Sequence, residues 1–211
     1  MKTVVVFAGG DPPSREVLGR LPEGAFVIAA DSGFDHASRL GIKVDVLVGD
    51  LDSVSPEGLE AAGQMVERHS ADKDASDLTL ALRAAVKRGA ERVVVVGGNG
   101  GRIDHLLTNS AVLTSDEFAS QRIEWLAGAA TAVVVRSEVE IEGRPGDLVT
   151  LLPQGGDAVG VTTEGLRWPL LDQSIKYGSS RGLSNQLTSD LGRVTVNAGI
   201  LLVIHLPSGV D

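Results

Sequence analysis

Short apolar runs alternate with amphipathic segments through the first part of the chain. The runs at 3–8, 25–30, 44–48, 65–69, 92–96 and 122–126 are rich in Val, Ile, Leu and Ala and predict strands. Between them, apolar residues recur at three- and four-residue spacing, most clearly over 76–88 and 103–114, which predicts helices. Short strands separated by helices imply crossover connections and a largely parallel sheet. The unbroken Val93-Val94-Val95-Val96 run fits a strand buried on both faces.

Near residues 127–131 the pattern changes. Strand-like segments now follow one another at 132–136, 139–142, 147–152, 158–163, 193–197 and 200–205, with no long helical pattern between them. Gly143-Arg144-Pro145-Gly146, Gln154-Gly155-Gly156-Asp157 and Asn197-Ala198-Gly199 read as turns. The expected architecture is therefore an α/β domain with a mainly parallel sheet over 1–128, followed by an all-β antiparallel sandwich over 129–211.

Composition narrows the function classes. Hydrophobic residues make up 43% of the 211 positions, but aromatics only 3%, so Val, Leu, Ile and Ala must fill the core. A net charge of −9 argues against a nucleic-acid or anionic-membrane partner, which would call for a basic surface. With no cysteine, disulfides, thiolate catalysis and Cys-ligated zinc are excluded. The opening apolar run is too short for a signal-peptide core, and no stretch approaches a membrane span, so a soluble, cytoplasmic protein is expected.

The acidic residues carry most of the chemistry. Gly49-Asp50-Leu51-Asp52-Ser53 and Lys73-Asp74-Ala75-Ser76-Asp77 place four carboxylates beside apolar or helical segments. Carboxylates gathered in this way repel one another unless a cation sits among them, and hard oxygen ligands select Mg2+ or a similar ion, which commonly accompanies phosphates. In an open parallel sheet, ligands bind at the carboxyl ends of the strands. There the expected strands run into Gly9-Gly10-Asp11, Asp31-Ser32-Gly33, Gly49–Asp52, Lys73–Asp77 and Gly97-Gly98-Asn99-Gly100-Gly101-Arg102-Ile103-Asp104-His105. Each element also has a plainer reading. Any of the aspartates can form a turn or cap a helix. The glycine run can present N–H groups to a phosphate or serve steric needs. Arg102 can clasp an oxyanion or pair with a nearby Asp, and His105 can be structural. The chain holds no GxxxxGK[ST] loop and no complete GxGxxG fingerprint.

Further along, Gly165-Leu166-Arg167-Trp168-Pro169-Leu170 and Gly182-Leu183-Ser184-Asn185 interrupt the strand pattern. Trp168 reads either as a core plug or as an aromatic platform for a flat or cationic ligand. Ser184 and Asn185 read as turn formers or ligand donors.

Taken in order, these motifs resemble the thiamine pyrophosphokinase (thiamine diphosphokinase) family along nearly the whole chain. Asp31-Ser32-Gly33 resembles the family's Asp-Gly-Gly, Gly49–Ser53 its Gly-Asp-x-Asp-Ser, and Asp74–Asp77 its Asp-x-Thr-Asp. Gly100–His105 resembles Gly-Gly-Arg-x-Asp-His, followed by Asn109, while Gly165–Leu170 and Ser184-Asn185 resemble Gly-Leu-Lys-Trp and Ser-Asn. The chain departs from the pattern at Ser32, Phe34-Asp35, Ser76 and Arg167.

The resemblance implies transfer of a diphosphate from ATP to the thiamine hydroxyl, giving thiamine diphosphate and AMP. It also implies a homodimer with the active site at the interface. On this basis Asp50, Asp52, Asp74 and Asp77 are expected to hold Mg2+, with Asp31 as a further candidate, and Asp52, Asp74, Asp77, Arg102 and Asp104 to be catalytic, with Asp52 or Asp104 taking the hydroxyl proton. Gly9, Gly10, Gly98, Gly100, Gly101, Arg102 and His105 are expected to bind nucleotide. Asp31, Lys73, Trp168, Ser184 and Asn185 are expected to contact substrate. Two alternatives stand beside this reading: a pyrophosphokinase for another hydroxymethyl heterocycle such as a pterin, and a non-catalytic nucleotide- or thiamine-binding protein.

Overall fold

The computed structural model describes residues 1–51, 54–62, 66–69 and 74–209. It divides into two compact units, one formed by Met1–Val112 with Phe118–Gly128, the other by Leu113–Glu117 with Ala129–Asp211.

In the first unit, β1 (Thr3–Phe7), β2 (Phe26–Ala30), β3 (Val46–Gly49), β4 (Val66–Arg68), β5 (Arg92–Val96) and β6 (Arg122–Ala127) lie in the order β4-β3-β2-β1-β5-β6. Every neighbouring pair is parallel, with Val5 opposite both Val27 and Val94. Both faces of the central strands are buried, which is why β1 and β5 read as unbroken apolar runs rather than alternating ones. Val5, Phe7, Val27, Ala29, Leu47, Val94 and Val96 face one side and pack with Phe34, Ala37 and Leu40. Helix α3 (Asp77–Lys87) packs on β1, β2 and β3 and buries Leu78, Ala81, Leu82 and Ala85. Full burial of a side chain such as Leu82 contributes roughly 1.5–3 kcal/mol.

Two helices in this unit were not expected: α1 (Gly33–Arg39) and α2 (Pro56–Ala62). Each is too short for its apolar spacing to stand out from the flanking polar residues. Helix α4 (Ile103–Thr114) has the expected bounds. The chain runs outward from β1 to β4 and then returns to place β5 on the other side of β1. The carboxyl ends of β1 and β5 therefore form a switch point, where the two loops diverge and leave a crevice.

The second unit is built from antiparallel pairs. Strands β7 (Ala130–Val135), β8 (Glu138–Glu142), β9 (Leu148–Glu164), β12 (Leu191–Thr195) and β13 (Ala198–Leu206) run in the order β7-β13-β9-β12-β8. Two short strands, β10 (Gln173–Ile175) and β11 (Asn185–Gln186), also pair with β9. The segments expected as separate strands at 147–152 and 158–163 are one long β9, and Gln154–Asp157 is not a hairpin turn. Gln154 pairs with Ile200 but Val159 with Ala198, so the intervening residues of β9 bulge from the ladder. Gly155, at positive φ, lies within that bulge, and Gly160, also at positive φ, follows it. Beyond the bulge, β9 takes up β10 and β12 as partners. The apolar core of this unit gathers Val139, Ile141, Val149, Leu151, Val161, Ile175, Leu187, Val194, Leu201 and Val203. Among the described residues, no helix is long and apolar enough to cross a membrane.

Candidate active site

Asp31 leaves β2 in a left-handed conformation, at φ 48°, and is almost fully buried. Its N–H donates to Val48 O (2.9 Å) and its carbonyl accepts from Phe34 N (3.0 Å), so the residue turns the chain from β2 into α1. The close passage of α1 over β1 depends on Gly33, where a Cβ would stand 2.2 Å from Phe7 O. Asp50 follows β3, next to Leu51 at φ 71°. Asp77 opens α3, whose cap is Ser76: its Oγ accepts from Thr79 N at 3.2 Å. The capping reading of the aspartates therefore fails at α3, because a serine does that work.

One carboxylate oxygen each from Asp31, Asp50 and Asp77 lies within 4.8 Å of the other two. Of the four expected metal ligands, the structure brings Asp50 and Asp77 together, and with them Asp31, the further metal candidate that was also expected to contact substrate. Asp74 is exposed and is not part of the group. Asp52 and Lys73 lie outside the described residues. Three acidic oxygens from three separate elements are a donor set suited to a hard divalent cation.

Beside this group is a cavity of about 330 Å³, lined among others by Gly9, Gly10, Asp31, Ser32, Asp77, Gly98, Gly100, Arg102, His105 and Asn109. Gly101 does not line it. The loops after β1 and β5 are joined: Gly98 N–H donates to Gly9 O (2.7 Å) and Asp11 N–H to Asn99 O (2.8 Å). At Gly10 a Cβ would meet Asn99 O at 2.4 Å, so this approach admits only glycine. Arg102 clasps Asp104 through Nε–H to Oδ1 (3.1 Å) and Nη2–H to Oδ2 (2.5 Å), and both side chains are exposed. That hydrogen-bonded pairing holds the Asp104 carboxyl below the usual range, with a further contribution from His105 N–H. Asp104 is thus a weak base while Arg102 holds it.

Sequence reasoning passed over His36. The ring is buried and donates Nδ1–H to Ala8 O (3.1 Å), and burial lowers its pKa. Only recognition of α1 as a helix would have turned His36 towards the end of β1. Trp125 was missed as well. Its Nε1–H donates to Gly97 O at 2.6 Å, and sequence position alone gave no sign of that contact.

In the second unit, Trp168, Pro169, Leu170, Arg181, Leu183, Ser184 and Asn185 line a cavity of about 390 Å³. Trp168 is 53% exposed, so it is a surface platform rather than a core plug. The Arg167 guanidinium carbon stands 4.8 Å from the ring centroid. Asn185 is buried and braces the tryptophan: Trp168 N–H donates to its Oδ1 (3.1 Å), and its Nδ2 donates to Trp168 O (2.8 Å). Ser184 sits at φ 56°, with its N–H donating to Thr150 Oγ1 (3.0 Å).

Comparison with known proteins finds chains of similar sequence and fold. A family profile described as "Thiamin pyrophosphokinase, catalytic domain" matches residues 20–125. A second, "Thiamin pyrophosphokinase, vitamin B1 binding domain", matches 136–201. Thiamine pyrophosphokinase 1 of Oryza sativa subsp. japonica is 31% identical over 182 residues, 80% of this chain and 68% of that one. Thiamine pyrophosphokinase of Bacillus subtilis (strain 168) is 28% identical over 212 residues, 97% of this chain and 99% of that one. A crystal structure of the Bacillus subtilis thiamine pyrophosphokinase superposes with a TM-score of 0.86 at 26% identity, covering 98% of this chain and 100% of the other. The Candida albicans thiamin pyrophosphokinase, at 14% identity, shares the fold with a TM-score of 0.79.

Proposed function

The chain belongs to the thiamine pyrophosphokinase family, and we propose that it transfers the diphosphate of ATP to thiamine at the acidic crevice of its parallel sheet. The observation that carries this reading is the meeting of Asp31, Asp50 and Asp77 beside the cavity at the switch point.

In the reaction, the thiamine hydroxyl oxygen attacks the β-phosphorus of ATP. A new O–P bond forms, the bond between the β-phosphorus and the oxygen bridging to the α-phosphate breaks, AMP leaves with that oxygen, and the hydroxyl proton passes to a carboxylate, Asp52 or Asp104. Such chemistry needs alignment and charge neutralisation more than a covalent nucleophile. Mg2+ held by Asp31, Asp50 and Asp77 would supply neutralising charge for the phosphates that these carboxylates otherwise repel. Gly9 and Gly10 in one loop, and Gly98, Gly100 and Gly101 in the other, carry no side chains that would keep the phosphates at a distance. Arg102, exposed and paired with Asp104, exchanges that partner for the ATP phosphates and frees Asp104 as it does so. Asp52, Asp74 and Lys73 keep roles that rest on the sequence pattern and the resemblance.

We read residues 1–128 as the ATP-binding domain and 129–211 as a β sandwich that takes thiamine against Trp168, with Ser184 and Asn185 at the same cavity. The apolar part of a flat, cationic heterocycle suits an exposed indole. The same reading includes a homodimer that completes the site across its interface. In its support, Ile103 and Leu107 on α4 are exposed next to Arg102 and His105. ATP as donor implies a cytoplasmic setting.

The test is incubation with ATP, Mg2+ and thiamine. AMP and thiamine diphosphate should form together in equal amounts. A diphosphorylated product from a hydroxymethylpterin but not from thiamine would overturn the acceptor assignment. Tight binding of both substrates without AMP would overturn catalysis.

A further inference from the structure

Residues outside the acidic group also shape the crevice. After β5 the backbone enters the left-handed region at Gly97 (φ 83°) and Gly98 (φ 74°). A glycine pair can adopt many other conformations and loses much freedom when held in one. Here all four backbone polar groups of the pair are tied down. Gly97 N–H donates to Leu126 O (3.1 Å) and Gly98 N–H to Gly9 O (2.7 Å). Two side chains take the carbonyls: Trp125 Nε1–H donates to Gly97 O at 2.6 Å, and Asn109 Nδ2–H to Gly98 O at 2.9 Å.

A peptide unit is planar, so anchoring its oxygen also fixes the direction of its N–H. Trp125 holds the oxygen of the peptide between Gly97 and Gly98, and the N–H of that same peptide reaches Gly9 O. The path from the indole N–H through this peptide to Gly9 links β6, the β5 loop and the β1 loop in one line of aligned dipoles, which strengthen one another. Trp125 is buried and does not line the cavity, whereas Gly9, Gly98 and Asn109 do. Indole offers a donor only, so no other part of the side chain can replace the contact.

We propose that Trp125 and Asn109 are positioning residues for diphosphate transfer: they set the peptide planes of Gly97 and Gly98 and thereby align the β1 and β5 loops on the ATP phosphates. The inference rests on the reading that ATP occupies this crevice. Neither side chain needs to touch the reacting atoms. Their effect is on where the loops hold the donor.

The informative variants are W125F, which keeps most of the apolar volume and removes the N–H, and N109A, which removes the amide from a half-buried position. Calorimetric titration of ATP with Mg2+ present gives the Kd, and steady-state assays give KM for ATP and for thiamine separately. Losing one buried hydrogen bond should weaken ATP binding by about tenfold in either variant, with KM for thiamine within about twofold of wild type. The thermal midpoint of N109A should stay near wild type, which keeps the test valid if W125F folds poorly. Equal ATP affinity in N109A and wild type, or equal rises in both KM values, would make these residues packing elements only and overturn the proposal. A wild-type protein that binds no ATP would remove the proposed function and the clamp together. Wild-type binding with unchanged variants removes the clamp alone.

Discussion

Asp31 and Asp77 meet over Gly49: a Cβ built on that glycine would lie 3.0 Å from Asp77 Oδ1 and 3.3 Å from Asp31 Cβ. The end of β3 therefore needs a residue without a side chain so that carboxylates from β2 and α3 can approach Asp50. Like charges within 4.8 Å of one another repel by on the order of 1–4 kcal/mol, depending on the effective dielectric. Removing one of them should have opposite effects with and without metal. Asp77→Asn is expected to melt at the same temperature as wild type or higher in EDTA. It should also lose the upward shift that Mg2+ gives the wild type, and at least about a hundredfold in turnover, as loss of electrostatic transition-state stabilisation commonly costs. Thermal melts with EDTA and with MgCl2, run beside the AMP assay, check this. A variant that Mg2+ stabilises as fully as wild type would remove Asp77 from the metal site.

Gly33 is a second place where two elements approach too closely for a side chain. Gly33→Ala would put a methyl group 2.2 Å from Phe7 O, against backbone that cannot swing aside. The helix α1 must then lift from β1, carrying Asp31 and His36 with it. We expect a loss of about 1–3 kcal/mol, the usual cost of overpacking, measurable by urea denaturation. Unchanged stability would show that α1 tolerates the displacement.

The sequence pattern disclosed the parallel sheet because strands buried on both faces stand out as Val-rich runs, as at residues 92–96. It disclosed α4 because twelve residues are enough for apolar spacing to repeat. Helix α1, with seven residues, is not. The bulge in β9 was misread because Gly155 serves a hairpin turn and a bulge with the same backbone conformation, and only pairing distinguishes them. At the site, acidic type and strand-end position were legible. The grouping was legible only in part: Asp31, a further candidate, joins Asp50 and Asp77, but Asp74 stays outside, and that depends on how the elements order themselves in space. Contacts to backbone carbonyls, such as those of Trp125 and His36, leave no mark on sequence pattern at all.

Asn185 was expected to bind substrate, yet its amide is committed to the Trp168 backbone and to Gln186 N–H (2.8 Å). Asn185→Ala should leave these part-buried groups without protein partners, at a cost of about 1–3 kcal/mol in all where water does not replace the amide. The loop bearing Trp168 would loosen. KM for thiamine is expected to rise while the affinity for ATP, whose proposed crevice lies in the other unit, holds. Asn185→Asp keeps the Oδ1 acceptor and should recover part of the stability. An alanine variant with normal stability and a raised KM would instead point to direct contact with thiamine.

Asp147 carries the clearest pH dependence. It is buried in the second unit, and burial by itself would raise its pKa. Hydrogen bonds outweigh that effect: Oδ1 accepts from Ser208 N–H (2.8 Å), and Oδ2 from Arg144 N–H and His205 Nε2 (both 2.9 Å). The net result is a carboxyl held well below the usual carboxylate range. A depressed folded-state pKa means that the ionised group stabilises the fold above the unfolded value of about 4. That contribution is lost as the pH falls from there towards the folded value. Asp147→Asn should therefore be less stable than wild type at pH 7, by on the order of 2 kcal/mol or more given several bonds to a charged acceptor. The gap should shrink steadily below about pH 4 as the wild type loses its advantage. Urea unfolding of both proteins at pH 7, 5 and 3 measures it directly. A gap of constant size across that range would mean that Asp147 acts through shape rather than charge.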